Sequence, residues 1–403
     1  MPSLWRNRNY LFLLGGQTIS SLGSDISQLA FPLLILARTH SPALAGGIGA
    51  LQSVPYLFFS LPLGAFVDRW NPKRVMLLCD TSRALNLLSI PLAFAVGHLT
   101  SLQLALNALI EGSLFVAFNL AETAGLLSVI SREQLPLAIA QYTAAEGTTS
   151  VLGPPLGGVL YSLGQGIPFL CDAISYLFSV ASLLFLRTPF HSERTAPARR
   201  LHQEIGDGVR WVWYHPLVRS LTFLGILGLF AYYGISLIVI VVAQSLGMTP
   251  ALIGLLFASG GVMTLVGSVL APWFQKKLRF GQIMVGASWG KAVLWPLLAV
   301  ASTPLVLVAV VVGLFFIDPI YNVVHMSARL ALIPDGLQGR VNSVVRLLAF
   351  SLRALGLALT GVLIQTVGVR WAILSAAAVL VLVALGTTLN PHIRNASPFS
   401  QPQ

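Results

Sequence analysis

Apolar residues run along this chain in long stretches, broken by short turns rich in Gly, Pro and charge. A helix needs roughly 20 apolar residues to cross the hydrocarbon of a bilayer. Hydropathy and helix breakers place twelve such segments, over 9–37, 42–67, 73–96, 101–125, 135–162, 167–187, 217–246, 251–274, 281–301, 304–330, 338–367 and 370–389. In lipid every backbone N–H and C=O must be satisfied inside a helix or a closed barrel. The alternation of barrel strands is absent from these segments. The pattern therefore predicts an all-α integral membrane protein of twelve transmembrane helices.

One long polar stretch parts the segments six and six. It divides the chain into an N-terminal bundle over 1–187, a linker over 188–216, a C-terminal bundle over 217–389 and a tail over 390–403. Within the linker, 201–214 reads as an amphipathic helix lying at the membrane surface. The two halves repeat. Pro42-Ala43-Leu44-Ala45-Gly46 returns as Pro250-Ala251-Leu252-Ile253-Gly254, and Gly64 through Arg74 returns in degraded form as Gly267 through Lys277. Glu111 corresponds to Asp318, and Ile130 to Ile333. The offsets, 208, 203, 207 and 203 residues, are close to half the length and predict two pseudo-symmetric six-helix bundles.

Composition agrees with this pattern and narrows the chemistry. Of 403 residues, 56% are hydrophobic and 9% charged, where a soluble protein carries about 25% charged residues. The net charge of +11 does not form a patch interleaved with aromatics, so it does not point to nucleic acid. The cations gather at segment ends on one side, among them Arg6, Arg8, Arg69, Lys73, Arg74 and the linker arginines; the opposite loops carry only Arg38 and Arg370. This bias predicts both termini and the linker in the cytoplasm. Asp25 and Gln28 interrupt the first apolar segment and no A-x-A site follows, so it reads as a retained helix. Cys79 and Cys171 sit inside apolar stretches and read as packing residues. No phosphate loop, HExxH or paired CxxC motif is present, so no enzyme activity, cofactor or metal is expected.

Ionisable residues kept inside spans mark a water-filled cavity or a partner. Ser21, Asp25 and Gln28 form one stripe on the first helix at i, i+4, i+7. Asn107, Glu111 and Glu122 share a face of the fourth. Asp318, Asn322, His325 and Arg329 share a face of the tenth, and Asn342, Arg346 and Arg353 one of the eleventh. Glu146 and Lys291 stand near the middle of the fifth and ninth. Glu111 and Asp318 are pseudo-equivalent carboxylates near the midplane, suited to taking up and releasing a proton, with Arg346 and Arg353 as counter-ions. The plainer alternative is a set of interhelical salt bridges that fix packing. Aromatics including Phe31, Phe115, Tyr142, Tyr232, Tyr233, Phe316 and Tyr321 are candidates to line an apolar cavity. Asp80 and Arg83, at i, i+3 on the third helix, are expected to join Asp68 and Arg74 in a cytoplasmic charge network.

Between the second and third spans, Gly64, Asp68, Arg69, Lys73 and Arg74 match the G-x-x-x-D-R-x-x-[RK]-[RK] loop of the major facilitator superfamily. In the fifth, Gly153-Pro154-Pro155-Leu156-Gly157-Gly158 resembles the antiporter motif of exporters in that superfamily. Leu4 through Tyr10, Gln17 through Gly23, Arg132 through Pro136 and Gly339 through Ser343 look like its macrolide-efflux and enterobactin-exporter branch. The resemblance implies proton-driven export of a drug-like or siderophore-like amphipathic molecule across a bacterial inner membrane, by a monomer working through alternating access. In that reading the loop holds the cytoplasmic side shut. A carrier of the same fold without proton coupling, importing a metabolite, flipping a lipid or acting as a uniporter, is the alternative.

Overall fold

The computed structural model describes residues 4–67, 70–186 and 201–396. It divides into two compact units, Met1–Thr195 with Thr249–Ala258, and Ala196–Met248 with Ser259–Gln403. The first unit holds α1 (Arg8–Thr39), α2 (Pro42–Val67), α3 (Pro72–Ala95), α4 (Ser101–Val129), α5 (Leu135–Leu163) and α6 (Ile167–Leu184). The second holds α7 (Leu201–Tyr214), α8 (Pro216–Tyr232), α9 (Ile235–Ser245), α10 (Pro250–Lys277), α11 (Phe280–Leu294), α12 (Pro304–Leu332), α13 (Asp335–Val367), α14 (Val369–Leu389) and the short α15 (Pro391–Arg394). The opening turns of α10, through Ala258, belong to the first unit.

Among the described residues, nine segments are long and apolar enough to cross a membrane, with α8 and α9 counted as one. The helices α2, α5 and α11 fall on the other three predicted spans. The helix predicted over 201–214 is α7. Two predicted spans are not single α-helices. The span over 217–246 breaks at Tyr233 and Gly234, where Thr360 of α13 occupies the space a side chain at 234 would need. The span over 281–301 leaves α-geometry at Trp295 and continues as a 3-10 turn through Ala299, with Pro296 in its first turn. Trp295 itself is fully buried.

Local capping sets the remaining boundaries, and it repeats between the halves. Asn71 caps α3, accepting from the Lys73 N–H at 3.0 Å, with Pro72 at the first helical position. Thr100 caps α4 through the Gln103 N–H, and Thr303 caps α12 through the Val306 N–H. Ile130 and Ile333 end these helices in extended backbone, so both run for 29 residues between matched caps.

Small residues bring the helices of the first unit close enough to place polar groups opposite one another. Where α1 crosses α5, a Cβ at Gly153 would strike Asp25 and one at Gly157 would strike the Ile26 backbone. Where α1 crosses α6, Gly16 meets Ser182 and Gly23 meets Ser175 and Asp172. In the second unit, α11 packs on α12 and α14, and α8 on α13 and α14. The apolar core there is built on Leu221, Met284, Val324 and Ala328.

Candidate functional site

In the first unit a buried ion pair joins α3 to α4. Arg83 donates from Nε to Glu111 Oε1 at 2.6 Å, and its Nη2 stands 2.6 Å from the same oxygen. Tyr176 of α6 donates its hydroxyl to that oxygen at 3.0 Å, and its ring lies 4.2 Å beneath the guanidinium. Arg83 Nη1 also faces Asp80 at 3.9 Å. Asp80 is fully buried, and Arg83 and Glu111 are nearly so. The second carboxylate oxygen of Glu111, Oε2, is buried without a hydrogen bond.

In the second unit Lys291 of α11 pairs with Asp318 of α12. Asn322, one turn along α12, donates to the other oxygen of Asp318 at 2.8 Å. The ammonium lies 4.3 Å from the centre of the Tyr321 ring and 5.4 Å from that of Tyr232. These groups open on a small cavity of about 30 Å³, lined also by Ser288, Gly225, Gly228 and Leu380. That is enough space for a water molecule, and the lining is polar enough to hold one.

The two pairs are repeats of each other. Arg83 and Lys291 are each the twelfth residue of their helix, 208 positions apart in the chain. Glu111 is the eleventh residue of α4 and Asp318 the fifteenth of α12, so the second carboxylate sits one helical turn further along on the same face. Each half thus holds one cation–carboxylate pair between its third and fourth spans. The cations differ in kind: a forked guanidinium that binds two carboxyl groups, and a point charge beside a water-sized space.

This arrangement corrects one expectation and extends another. Arg353 is not the counter-ion of either carboxylate; it stands over the Tyr233 ring at 5.9 Å. The side chain of Arg346 lies outside the described residues. Asp80 and Arg83 are brought together with Glu111 near the middle of α3, a partner the sequence reading did not name; the network expected with Asp68 falls outside the described residues. Asp68 and Arg69 lie outside the described residues, as do side-chain surroundings at Gly64; Arg74 is exposed. Lys73 turns to the end of α6, donating to the Leu186 carbonyl at 2.7 Å and the Leu184 carbonyl at 3.4 Å.

The other candidates fall into separate places. Asp25 is half-buried on α1 and faces Thr149 and Glu146 of α5, while Gln28 and Glu146 are exposed. Asn107 is buried in the α3–α4 seam, donating to the Asn86 carbonyl at 2.7 Å and to Ser89 Oγ at 3.0 Å. His325 stacks on Tyr321 and its Nε2 meets the Leu221 carbonyl at 3.1 Å. Arg329 donates to Asn342 at 3.2 Å. Glycines of the motif in α5 do what small residues allow: Gly153 and Gly157 seat α1, and Gly158 meets the backbone of Pro250 and Ala251, as Gly254 meets that of Pro154. The helix runs unbroken through Pro154 and Pro155.

Sequence reasoning missed the α1–α6 seam. Ser27 Oγ is hydrogen-bonded to Asp172 Oδ2, and Ser24 Oγ meets the Tyr176 hydroxyl at 2.8 Å. Ser20, Ser24 and Ser27 fall at i, i+4, i+7 on α1, and Asp172, Ser175, Tyr176 and Ser179 at i, i+3, i+4, i+7 on α6. Those two stripes were the available signal: a lone serine weighs little in a hydropathy window, but Asp172 is an acid inside an apolar run and was open to notice.

A polytopic helical protein that keeps a charge pair inside each half, buried in the first and part-buried in the second, has the build of a membrane transporter. The family model described as Major Facilitator Superfamily matches residues 13–352, and the chain belongs to that family. Curated relatives extend over its whole length. It is 24% identical over 412 residues to the "Multidrug efflux pump Tap" of Mycolicibacterium fortuitum, covering 97% of this chain and 98% of that one. It is 25% identical over 358 residues to the "Enterobactin exporter EntS" of Salmonella typhimurium, covering 87% and 84%. Among solved structures, a bacterial homologue of the human lysosomal transporter Spinster, inward-facing and occupied, superposes with a TM-score of 0.75 at 14% identity, covering 96% of this chain and 97% of that one. The chain is a multi-pass membrane transporter of this family and not an enzyme.

Proposed function

We propose that this transporter is a proton-coupled exporter of a drug-like or siderophore-like amphipathic molecule, set in a bacterial inner membrane with both termini in the cytoplasm. The observation that carries the reading is the repeated pair, Arg83–Glu111 and Lys291–Asp318. Charges inside a membrane are costly and are kept where a protein moves ions or protons. Full-length similarity to efflux pumps supports export over uptake.

Protonation would act on the carboxylates. A proton on Glu111, at its free Oε2, removes the charge that holds Arg83 and leaves the guanidinium to Asp80 and the Tyr176 ring. A proton on Asp318 releases the Lys291 ammonium to the Tyr232 and Tyr321 faces and the adjoining cavity. Each half can therefore exchange a pairing held by charge for one held by aromatic contact. Such an exchange links protonation to the movement of helices within a bundle.

The test is efflux from proteoliposomes under an imposed pH gradient, against dyes, antibiotics and siderophores. Export that collapses the gradient in the wild type, and fails to do so in Glu111→Gln and Asp318→Asn, is the expected result. Substrate movement with no proton movement would instead assign the protein to the uncoupled carriers of this fold.

A further inference from the structure

We propose that the exposed corner where α7 meets α8, built on Arg210, Trp213, Tyr214 and Arg219, binds the headgroup of an anionic phospholipid. The site lies apart from the charge pairs and does not depend on what the transporter carries.

α8 opens a segment, Pro216–Ser245, that is long and apolar enough to cross a membrane. Trp213 and Tyr214 lie within three residues of its first position, so they stand at the end of a span. At 1.5 Å per residue, Arg219 is about 4.5 Å inside that end. This is headgroup depth, where Trp and Tyr gather because the ring is apolar and its N–H or O–H is wet.

One side of α7 is covered and the other is open. The helix packs on α13 and α8, and Trp211 and Val212 are half-buried. Val209, Arg210, Trp213 and Tyr214 are exposed, Trp213 by 64% and Tyr214 by 69%. They fall at i, i+1, i+4 and i+5, one face of a helix. The corner is held in shape by its own contacts. His215 stacks on Trp211 with ring centres 4.0 Å apart, and its Nδ1 meets the Trp211 carbonyl at 2.9 Å. Arg219 donates to the Trp213 carbonyl at 3.3 Å, tying the first turn of α8 to the end of α7.

Two guanidinium groups lie on the exposed rings. Arg210 stands 5.9 Å from the centre of the Tyr214 ring, and Arg219 5.5 Å from that of Trp213. Among the described residues neither pairs with a carboxylate. The two acids of α7, Glu204 and Asp207, belong to its first two turns, and the chain from Val209 to Arg219 has none. A guanidinium laid on a ring keeps N–H donors at its edge, and that planar fork matches phosphate oxygens. Positive charge at headgroup depth, beside apolar rings, complements a phosphate and the upper part of its acyl chains. A zwitterionic lipid brings a cation of its own against the two arginines; an anionic lipid does not.

The experiment uses the purified full-length protein. In native mass spectrometry with phosphatidylglycerol or phosphatidylcholine added, phosphatidylglycerol should be retained in preference. Arg210→Gln and Arg219→Gln should each weaken its retention roughly fivefold, as loss of one cation near an anionic surface does, and leave phosphatidylcholine unchanged. Arg370→Gln, which removes an exposed cation at the start of α14, should change neither. In vesicles, a lipid with a nitroxide on its headgroup should quench a part of the tryptophan emission that Trp213→Phe removes. Equal retention of the two lipids, an equal loss in Arg370→Gln, or emission from Trp213 untouched by the nitroxide overturns the proposal. A dimer in the spectrum that comes apart in the two α7–α8 arginine variants also overturns it, since a second copy would then cover the corner. None of these readouts uses transport, so they stand whether or not export is coupled to protons.

Discussion

Arg83 gives Glu111 two hydrogen-bond donors on one oxygen while its remaining nitrogen faces Asp80, so one guanidinium serves two buried carboxylates on two helices. The stability of the first unit should therefore depend unequally on the partners. Removing one member of a buried pair costs about 3–5 kcal/mol, because the other is left charged and uncompensated. Arg83→Met strands both Asp80 and Glu111 and is expected to cost at least that much. Glu111→Gln keeps an acceptor for the guanidinium and leaves Asp80 its cation, and is expected to cost markedly less. Thermal unfolding of the two variants in detergent checks the order; a Glu111→Gln variant as unstable as Arg83→Met would refute it.

The pair in the second unit is open to a cleaner measurement, because Lys291 and Asp318 serve chiefly each other. In a double-mutant cycle of Lys291→Met, Asp318→Asn and both together, the coupling energy should be favourable and about 0.5–3 kcal/mol. The double variant should be more stable than Lys291→Met alone, since Asp318 is then no longer a charge without a partner. Strict additivity in the unfolding midpoints would show that the two groups do not hold each other.

The helices and their order were legible because hydropathy and caps are local signals. Thr100 and Thr303, or Asn71-Pro72, declare a helix start from a few residues. The carboxylates Glu111 and Asp318 were also legible, because they are acids inside apolar runs at matching positions of the two halves; Asp172, an acid in a run without such a counterpart, was passed over. The partners of Glu111 and Asp318 were not legible. Arg83 and Lys291 lie 28 and 27 residues from the acids they bind, on neighbouring antiparallel helices. Choosing them over Arg353 requires knowing which faces of α3, α11 and α13 meet α4 and α12. The repeat held that information: Arg83 and Lys291 share the offset already seen at Pro42 and Pro250. Pro296 alone did not signal the loss of α-geometry at Trp295, since α5 runs unbroken through Pro154 and Pro155. The break at Gly234 depends on Thr360, 126 residues away, and had no local signal beyond the glycine.

The glycines of α5 permit a prediction with its own control. A Cβ at Gly157 would meet the carbonyl oxygen of Ile26 at 2.6 Å, and a backbone atom cannot swing aside. Gly157→Ala should then cost about 1–3 kcal/mol, the range for overpacking a tight contact. Gly47 of α2 has open space at the same position, and Gly47→Ala should be neutral or slightly stabilising, since alanine is the better helix former. Equal effects of the two substitutions would mean that α1 and α5 do not approach as closely as described.

Lys73 belongs to the loop that sequence resemblance assigns to gating, but its ammonium caps the C-terminal end of α6 through the carbonyls of Leu184 and Leu186. A cation at that end of a helix contributes about 0.3–1 kcal/mol and satisfies carbonyls that have no partner within the helix. Lys73→Met should lower the unfolding midpoint by that modest amount and speed hydrogen exchange in the last turn of α6. Lys73→Arg, which keeps a donor of similar reach, should restore much of both. A residue that served the gate alone would behave differently, changing the rate of transport while leaving exchange in α6 at the wild-type level. Measuring exchange and transport on the same three proteins separates the two roles.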